Sequence, residues 1–226
     1  MPKKRIETIT AVDGHGLTLH IAEPDQPAKA ALVICQEIFG VNGHIKAVVE
    51  SYAAEGFVAV APALFDRIGP DIELGYDPDG IARGRELRQQ VPWETAMRDV
   101  AAAVDWCRAT TRNGPIGVIG YCWGGSLAWL AAADLKPAAA VCYYGGQIAQ
   151  FSDRTPTCPV QMHFGEHDAH IPEADRSAIL AAQPSVELHV YDAGHGFNCT
   201  ERDDFVPDAA KLARERTLEF LNRHLL

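Results

Sequence analysis

The sequence lacks long apolar runs and an excess of positive charge. No stretch of about 18 consecutive apolar residues occurs, as a membrane-spanning helix would need. Basic residues open the chain, but a mixed polar stretch follows them where a secretion signal would have an apolar core. The formal net charge of -10 at pH 7 repels nucleic acids and anionic membranes. We therefore expect a cytoplasmic protein that binds a small molecule, with no nucleic acid and no membrane as partner.

Closely spaced cysteines are also absent. The 6 cysteines include no Cys-x-x-Cys pair, and a chain of 226 residues, 47% of them apolar, can bury a core without disulfides. Most of the cysteines are therefore expected to be small buried hydrophobic residues. We predict one domain over residues 1–226, a monomer or small homo-oligomer, with no cofactor and no metal.

Short apolar runs alternate with helical patterns along most of the chain. Such runs are typical of strands buried on both faces of a sheet, and they lie at 30–35, 58–61, 116–119, 138–143, 160–164 and 186–191. Helices are predicted at 44–55, 93–109, 123–133, 174–182 and 209–224. This alternation predicts an α/β fold with a mainly parallel, doubly wound sheet and helices on both faces.

Two segments fall outside this alternation. Residues 6–12 and 17–22 alternate apolar and polar around a Gly-containing turn, which predicts an antiparallel hairpin at the sheet edge. Residues 64–92 are rich in Gly, Pro, Asp and Arg and are predicted to form a long irregular loop. Loops of that length are commonly functional, so we expect this one to cover the site.

The segment GYCWGG, residues 120–125, lies between a predicted strand and a predicted helix. This is the setting of a nucleophile elbow, with Cys122 where serine is usual. Asp168 and His195 follow two later strands, and the carboxyl ends of parallel strands share one rim of the sheet. The chain order of nucleophile, acid and histidine is that of α/β-hydrolases.

Each of these three residues also has a simpler interpretation. Cys122 fits a structural turn, Asp168 fits a helix cap, and His195 fits a solvated loop. Their joint occurrence at strand ends, in the hydrolase order, favours catalysis.

The chain resembles the dienelactone hydrolase family, whose members are related to carboxymethylenebutenolidase. The segments that carry the resemblance are CQEIFGVN, APALFDR, GYCWGG, CYYGG, GEHD and GHGF. The resemblance implies an α/β-hydrolase fold and an enzyme that opens a lactone or cleaves an ester through a thioester acyl-enzyme. It makes Cys122 the nucleophile, His195 the base and later the acid, and Asp168 the residue that orients the imidazole.

A paired histidine and a helix N-terminus both favour the thiolate that such a nucleophile needs. The oxyanion of the tetrahedral intermediate needs two donors. We predict that the backbone N–H groups of Trp123 and Ile38 supply them.

The resemblance also implies four further site residues. Glu37 would contact the resting thiol and hold it neutral, because a nearby carboxylate disfavours a second anion. Arg67 would bind a substrate carboxylate through its planar fork, which makes the expected substrate acidic. Tyr144 and Phe197 would contribute to the substrate pocket.

The chain departs from the family pattern at Cys199, four positions beyond His195, where dienelactone-cleaving members carry a second arginine. Arg202 follows shortly after and is a candidate substitute. The departure predicts broader tolerance of uncharged esters.

Other interpretations remain open beside this one. Class I glutamine amidotransferases also use a cysteine elbow, but they place a glutamate where this chain has Phe197. A thiol sensor on the same fold is a second alternative. The histidines 163, 167 and 170 invite a metal interpretation, which their spacing disfavours.

Overall fold

The computed structural model describes residues 1–28, 30–112 and 114–226. Its strands form one eight-stranded sheet in the order β1-β2-β4-β3-β5-β6-β7-β8. The strands are β1 Lys3–Thr10, β2 Gly16–Glu23, β3 Ala31–Cys35, β4 Val58–Pro62, β5 Ile116–Tyr121, β6 Ala139–Tyr143, β7 Val160–Gly165 and β8 Glu187–Tyr191. The helices are α1 Gly43–Ala54, α2 Pro78–Gln90, α3 Trp93–Thr110, α4 Trp123–Asp134, α5 Glu173–Ala182 and α6 Pro207–Leu225.

The central strands are parallel and buried on both faces. From β4 to β8 neighbouring strands are parallel, and every residue of β3 through β7 is buried. Both faces of these strands are covered, which explains why their sequences are mostly apolar, although β7 also buries Gln161 and His163. The predicted hairpin of β1 and β2 is antiparallel and pairs with β4 through β2. The fold is the predicted α/β-hydrolase architecture.

Residues 64–92 contradict the prediction of a long irregular loop. They contain a short 3-10 turn, Leu64–Arg67, and the helix α2. The side chain of Asp77 caps α2 by accepting a 2.7 Å hydrogen bond from the N–H of Gly80, and Pro78 occupies the first helical position. A Cβ on Gly84 would overlap the carbonyl oxygen of Ile38. The helix therefore packs directly on the loop that follows β3.

Among the described residues, no helix combines the length and the apolar character required to cross a lipid bilayer.

Candidate active site

Cys122 occupies a sharp turn between β5 and α4. Its backbone angles, φ 55° and ψ -116°, are unusual for a residue with a side chain. A Cβ on Gly120 would overlap the carbonyl oxygen of Gly124, and one on Gly124 would overlap that of Cys35. Glycine is therefore required on both sides of the turn. The partly exposed thiol is held at the N-terminus of α4.

Asp168 and His195 form a short hydrogen bond after β7 and β8. The distance from Nδ1 of His195 to Oδ2 of Asp168 is 2.6 Å. The other carboxylate oxygen accepts a 2.8 Å hydrogen bond from the backbone N–H of His170. The Asp168 side chain is completely buried, whereas that of His195 is 12% exposed. The pair fixes the imidazole with its second nitrogen available to Cys122.

The charges of these groups are coupled. Burial opposes a charge on His195, but the attraction of the Cys122 sulfur and the hydrogen bond to Asp168 outweigh it and raise the pKa of His195 to about 10. Burial of Asp168 opposes ionisation of its carboxyl. The hydrogen bond to His195 outweighs the effect of burial and lowers the pKa of this carboxyl. The arrangement favours a charged imidazole paired with the ionised carboxylate of Asp168.

The backbone N–H groups predicted as oxyanion donors lie on two segments that pack together. Trp123 is the first residue of α4, so its N–H has no acceptor within the helix. The loop that carries Ile38 is braced by Gln36, which accepts a 3.1 Å hydrogen bond from the N–H of Leu64. Because Gly124 has no side chain, the start of α4 lies directly against the carbonyl oxygens of Cys35 and Gln36, where this loop begins. Donation by the two N–H groups to an oxyanion stays a prediction.

Glu37 is fully buried and has two partners, one from each side of the site. The hydroxyl of Tyr76 donates a 3.0 Å hydrogen bond to Oε2. Nη1 of Arg202 lies 3.6 Å from Oε1, and within the described residues Oε1 accepts no hydrogen bond. The hydrogen bond to Glu37 thus comes from Tyr76. The candidate substitute, Arg202, lies beside Glu37, and its role toward substrate stays a prediction.

Tyr144 borders the histidine, whereas Phe197 lies behind it. The Tyr144 ring centroid is 5.2 Å from that of His195 and 5.6 Å from that of Phe197. Phe197 is fully buried, and its other ring contact is Tyr191 at 5.0 Å. These contacts indicate that Phe197 supports the ring of Tyr144, whereas the prediction was that Phe197 contacts the substrate.

The predicted role of Arg67 requires correction, because its guanidinium is already occupied. Nε and Nη2 donate to the two oxygens of Asp99 at 2.9 and 2.6 Å. Nη1 and Nη2 donate to Asp13 at 2.8 and 3.1 Å. The planar fork that was expected to hold a substrate carboxylate holds two aspartates of the protein instead.

Arg88 on α2 is a residue that sequence reasoning missed. Its Cζ lies 4.1 Å from the ring centroid of Trp93 and 5.3 Å from that of Trp123. Burial lowers the pKa of Arg88, and attraction to Cys122 opposes this. Its hydrogen bond to the carbonyl of Val91 is long, at 3.5 Å, and it forms no ion pair with a carboxylate of the described residues. A helix assignment for residues 78–90 would have placed this arginine in the last turn of α2.

Two of the three histidines considered for a metal have separate hydrogen-bond partners. His163 is buried in the sheet, where its ring nitrogens are 2.8 Å from the Tyr191 hydroxyl and 2.9 Å from Oε1 of Gln161. Burial lowers the pKa of His163 well below its ordinary value, so it is a neutral core residue. His167 bonds to Asp192 at the surface.

Comparison with known proteins identifies the family. The sequence pattern described as the dienelactone hydrolase family matches residues 17–225. The chain belongs to the dienelactone hydrolase family. It is 36% identical over 222 residues to carboxymethylenebutenolidase of Pseudomonas putida, covering 95% of this chain and 94% of that protein. A carboxymethylenebutenolidase of Pseudomonas sp. strain P51 is 35% identical over 225 residues, covering 96% and 94%.

Structural comparison agrees with this membership. A solved structure from Klebsiella pneumoniae, provisionally described as a dienelactone hydrolase, superposes with a TM-score of 0.84 at 26% identity. It covers 97% of this chain and 99% of that chain. As a member of the dienelactone hydrolase family, this protein is a hydrolase of the lactone and ester class.

Proposed function

We propose that this protein hydrolyses small lactones or carboxylic esters through a covalent thioester at Cys122. The observation that carries the proposal is the 2.6 Å bond between His195 and a fully buried Asp168, beside a cysteine in a strained turn. A positioned base, its orienting acid and a nucleophile at a helix N-terminus are the parts that covalent acyl transfer needs.

The reaction follows from these groups. His195, whose pKa is raised, holds the proton of the thiol while the Cys122 sulfur attacks the carbonyl carbon to form a tetrahedral oxyanion. The N–H groups of Trp123 and Ile38 stabilise that charge. The carbon–oxygen bond to the leaving alkoxide then breaks, and His195 returns its proton to the alkoxide. In a lactone the alcohol stays attached to the acyl group.

Hydrolysis of the thioester completes the cycle. His195 takes a proton from water as the water oxygen attacks the thioester carbonyl, and a second oxyanion forms. The carbon–sulfur bond breaks, the carboxylic acid leaves, and Cys122 recovers its proton. Asp168 keeps the imidazole oriented through both halves and stabilises its charged form.

A substrate with a carboxylate fits the charges around the site. Arg202 beside Glu37 and Arg88 beside Trp123 are two cations in range of Cys122. Arg88 has no carboxylate partner among the described residues, so its guanidinium remains available to an acidic ligand. The Pseudomonas relatives are named for a butenolide with a carboxymethylene group, which is a lactone of this acidic kind.

A broader carboxylesterase is the second candidate. It is favoured by the occupied guanidinium of Arg67 and by Cys199 in place of the family's second arginine, because both reduce the groups available to a carboxylate.

One substrate panel separates the two candidates. Purified protein is assayed on a carboxylated enol-lactone, a neutral lactone and an aryl acetate. For an acidic-lactone hydrolase, Arg88→Ala lowers kcat/KM for the enol-lactone by about tenfold to a hundredfold and leaves the aryl acetate nearly unchanged. Arg83→Ala is the matched control, because Arg83 is on the same helix but pairs with Glu86 at the surface. Equal effects of Arg88→Ala on all substrates would favour the broader esterase.

A further inference from the structure

Three side chains of metal-binding type meet inside the site. One ligand atom each from Glu37, His44 and Cys199 lies within 4.8 Å of the other two, and all three residues are buried. Glu37 follows β3, His44 lies in the first turn of α1, and Cys199 follows β8. The fold brings these three residues together, so the sequence contains no short-spaced motif that would predict the cluster. Thiolate sulfur, imidazole nitrogen and carboxylate oxygen are the usual ligands of zinc.

Two of these side chains have buried atoms that make no hydrogen bond within the described residues. These atoms are Nε2 of His44 and Oε1 of Glu37. A buried polar atom without a hydrogen bond costs about 1 to 3 kcal/mol, so a pair of them in one cluster points to a missing ligand. The other oxygen of Glu37 is held by Tyr76 at 3.0 Å. Such an outer hydrogen bond is what orients a carboxylate that binds a metal.

Binding of zinc by a cysteine requires the thiolate, so the Cys199 thiol loses its proton to solvent when the ion binds.

Among the described residues, Arg202 is the positive group that lies beside the cluster and opposes a cation there. Its Nη1 lies 3.6 Å from Oε1 of Glu37, but its Nη2 lies 3.5 Å from Oδ2 of Asp204. Asp204 therefore offers an alternative partner at the same distance. The nearby Glu201 contributes a second negative charge that acts on His44. The charges of Glu37 and Glu201 exceed that of Arg202.

We propose that Glu37, His44 and Cys199 bind one thiophilic divalent cation of the zinc type. The cation exchanges bound waters for Oε1 of Glu37, a ring nitrogen of His44 and the Cys199 sulfur, and the thiol proton goes to solvent. Donor atoms around tetrahedral zinc lie roughly 3.3 to 3.8 Å apart. The ligand atoms of the three side chains must therefore move closer to one another by about 1 Å when the ion binds. Mg²⁺ and Ca²⁺ do not fit, because they require oxygen ligands.

Occupancy would also affect turnover. A bound ion withdraws Glu37 from Arg202 inside the proposed active site, so hydrolysis slows. That consequence rests on the proposed function, whereas the binding does not.

The binding test uses Cys122→Ser protein, so that the proposed nucleophile cannot supply a thiolate. Titration with Co²⁺ is expected to produce a thiolate-to-cobalt absorption band that saturates at one ion per chain. Titration with Zn²⁺ against a chromophoric chelator is expected to give the same stoichiometry. Adding Cys199→Ser removes the band and weakens zinc binding by at least about tenfold, since even outer partners of a metal site contribute that much. Cys158→Ser is the matched control and leaves both signals unchanged.

Two results would overturn the proposal. One is the absence of a cobalt–thiolate band in Cys122→Ser protein, a measurement that needs no further variant. The other is zinc binding that is equally tight when Cys199→Ser is added. If that protein does not fold, His44→Gln in the Cys122→Ser protein must instead weaken zinc binding by at least about tenfold. All these measurements are independent of hydrolysis, so failure of the proposed function would be seen separately, as turnover by Cys122→Ala.

Discussion

Arg67 and Asp99 meet in a two-pronged ion pair, with Nε to Oδ2 at 2.9 Å and Nη2 to Oδ1 at 2.6 Å. Asp99 lies in α3 and its side chain is completely buried. Arg67→Ala would leave this carboxylate buried without its partner. We expect the free energy of unfolding to fall by roughly 3 to 5 kcal/mol, the usual effect of breaking a buried pair. Urea unfolding of the two proteins measures the difference.

Substrate selectivity provides the control for this prediction. If the role of Arg67 is structural, the ratio of kcat/KM for an acidic lactone to that for an aryl acetate stays the same in Arg67→Ala. A variant of normal stability that loses only the acidic substrate would restore Arg67 as the carboxylate-binding residue.

Glu37→Gln tests how the carboxylate affects the thiol. Glutamine keeps the shape of the side chain but removes a negative charge that disfavours a nearby thiolate. We expect faster alkylation of Cys122 by iodoacetamide at neutral pH and slower lactone turnover. Peptide mapping identifies the alkylated cysteine. Slower alkylation of the variant would instead make Glu37 the group that generates the thiolate.

Tyr76→Phe is the companion variant, because it removes the 3.0 Å hydrogen bond to Glu37 and leaves the charge in place. If charge is what restrains the thiol, Tyr76→Phe does not reproduce the faster alkylation of Glu37→Gln.

The bond between Asp168 and His195 predicts a pH-dependent contribution to stability. The pKa of His195 rises from its usual value to about 10 in the folded protein. The protonated ring therefore stabilises the fold fully below about pH 6.5, and this contribution is lost as the pH rises through about 10. Ionised Asp168, whose pKa is lowered, stabilises the fold above about pH 4 and loses this effect in acid.

Asp168→Asn isolates this contribution. The difference in unfolding free energy between wild type and variant is expected to be largest between about pH 4 and 6.5, and to shrink toward pH 10. Urea unfolding across this range provides the curve. A difference that stays constant up to pH 10 would show that the charge on His195 is not coupled to Asp168.

The sheet and the nucleophile turn could be predicted from sequence because each has a local cause. Strands covered on both faces are mostly apolar, as β3 and β5 are. The turn at Cys122 requires glycine at positions 120 and 124, because a Cβ at either position would overlap a backbone carbonyl oxygen. Both constraints appear in neighbouring residues, where a pattern can reveal them.

The pairings that define the rest of the site have no local signal. Arg67 and Asp99 are 32 residues apart, and Tyr76 and Glu37 are 39 apart. The helix α2 was missed because its buried positions are mostly glycine rather than large apolar residues. Its start signal, an aspartate cap followed by proline, was present at Asp77 and Pro78.

The central claim, a thioester at Cys122, is tested most directly by trapping the intermediate. Protein is mixed with excess aryl acetate, quenched in acid during turnover, and examined by intact-mass spectrometry and peptide mapping. We predict one acetyl group per chain on Cys122, removable by hydroxylamine, with neither adduct nor turnover in Cys122→Ala. Near-normal turnover by Cys122→Ala, or an acetyl group on another residue that forms and decays at the rate of turnover, would contradict the account.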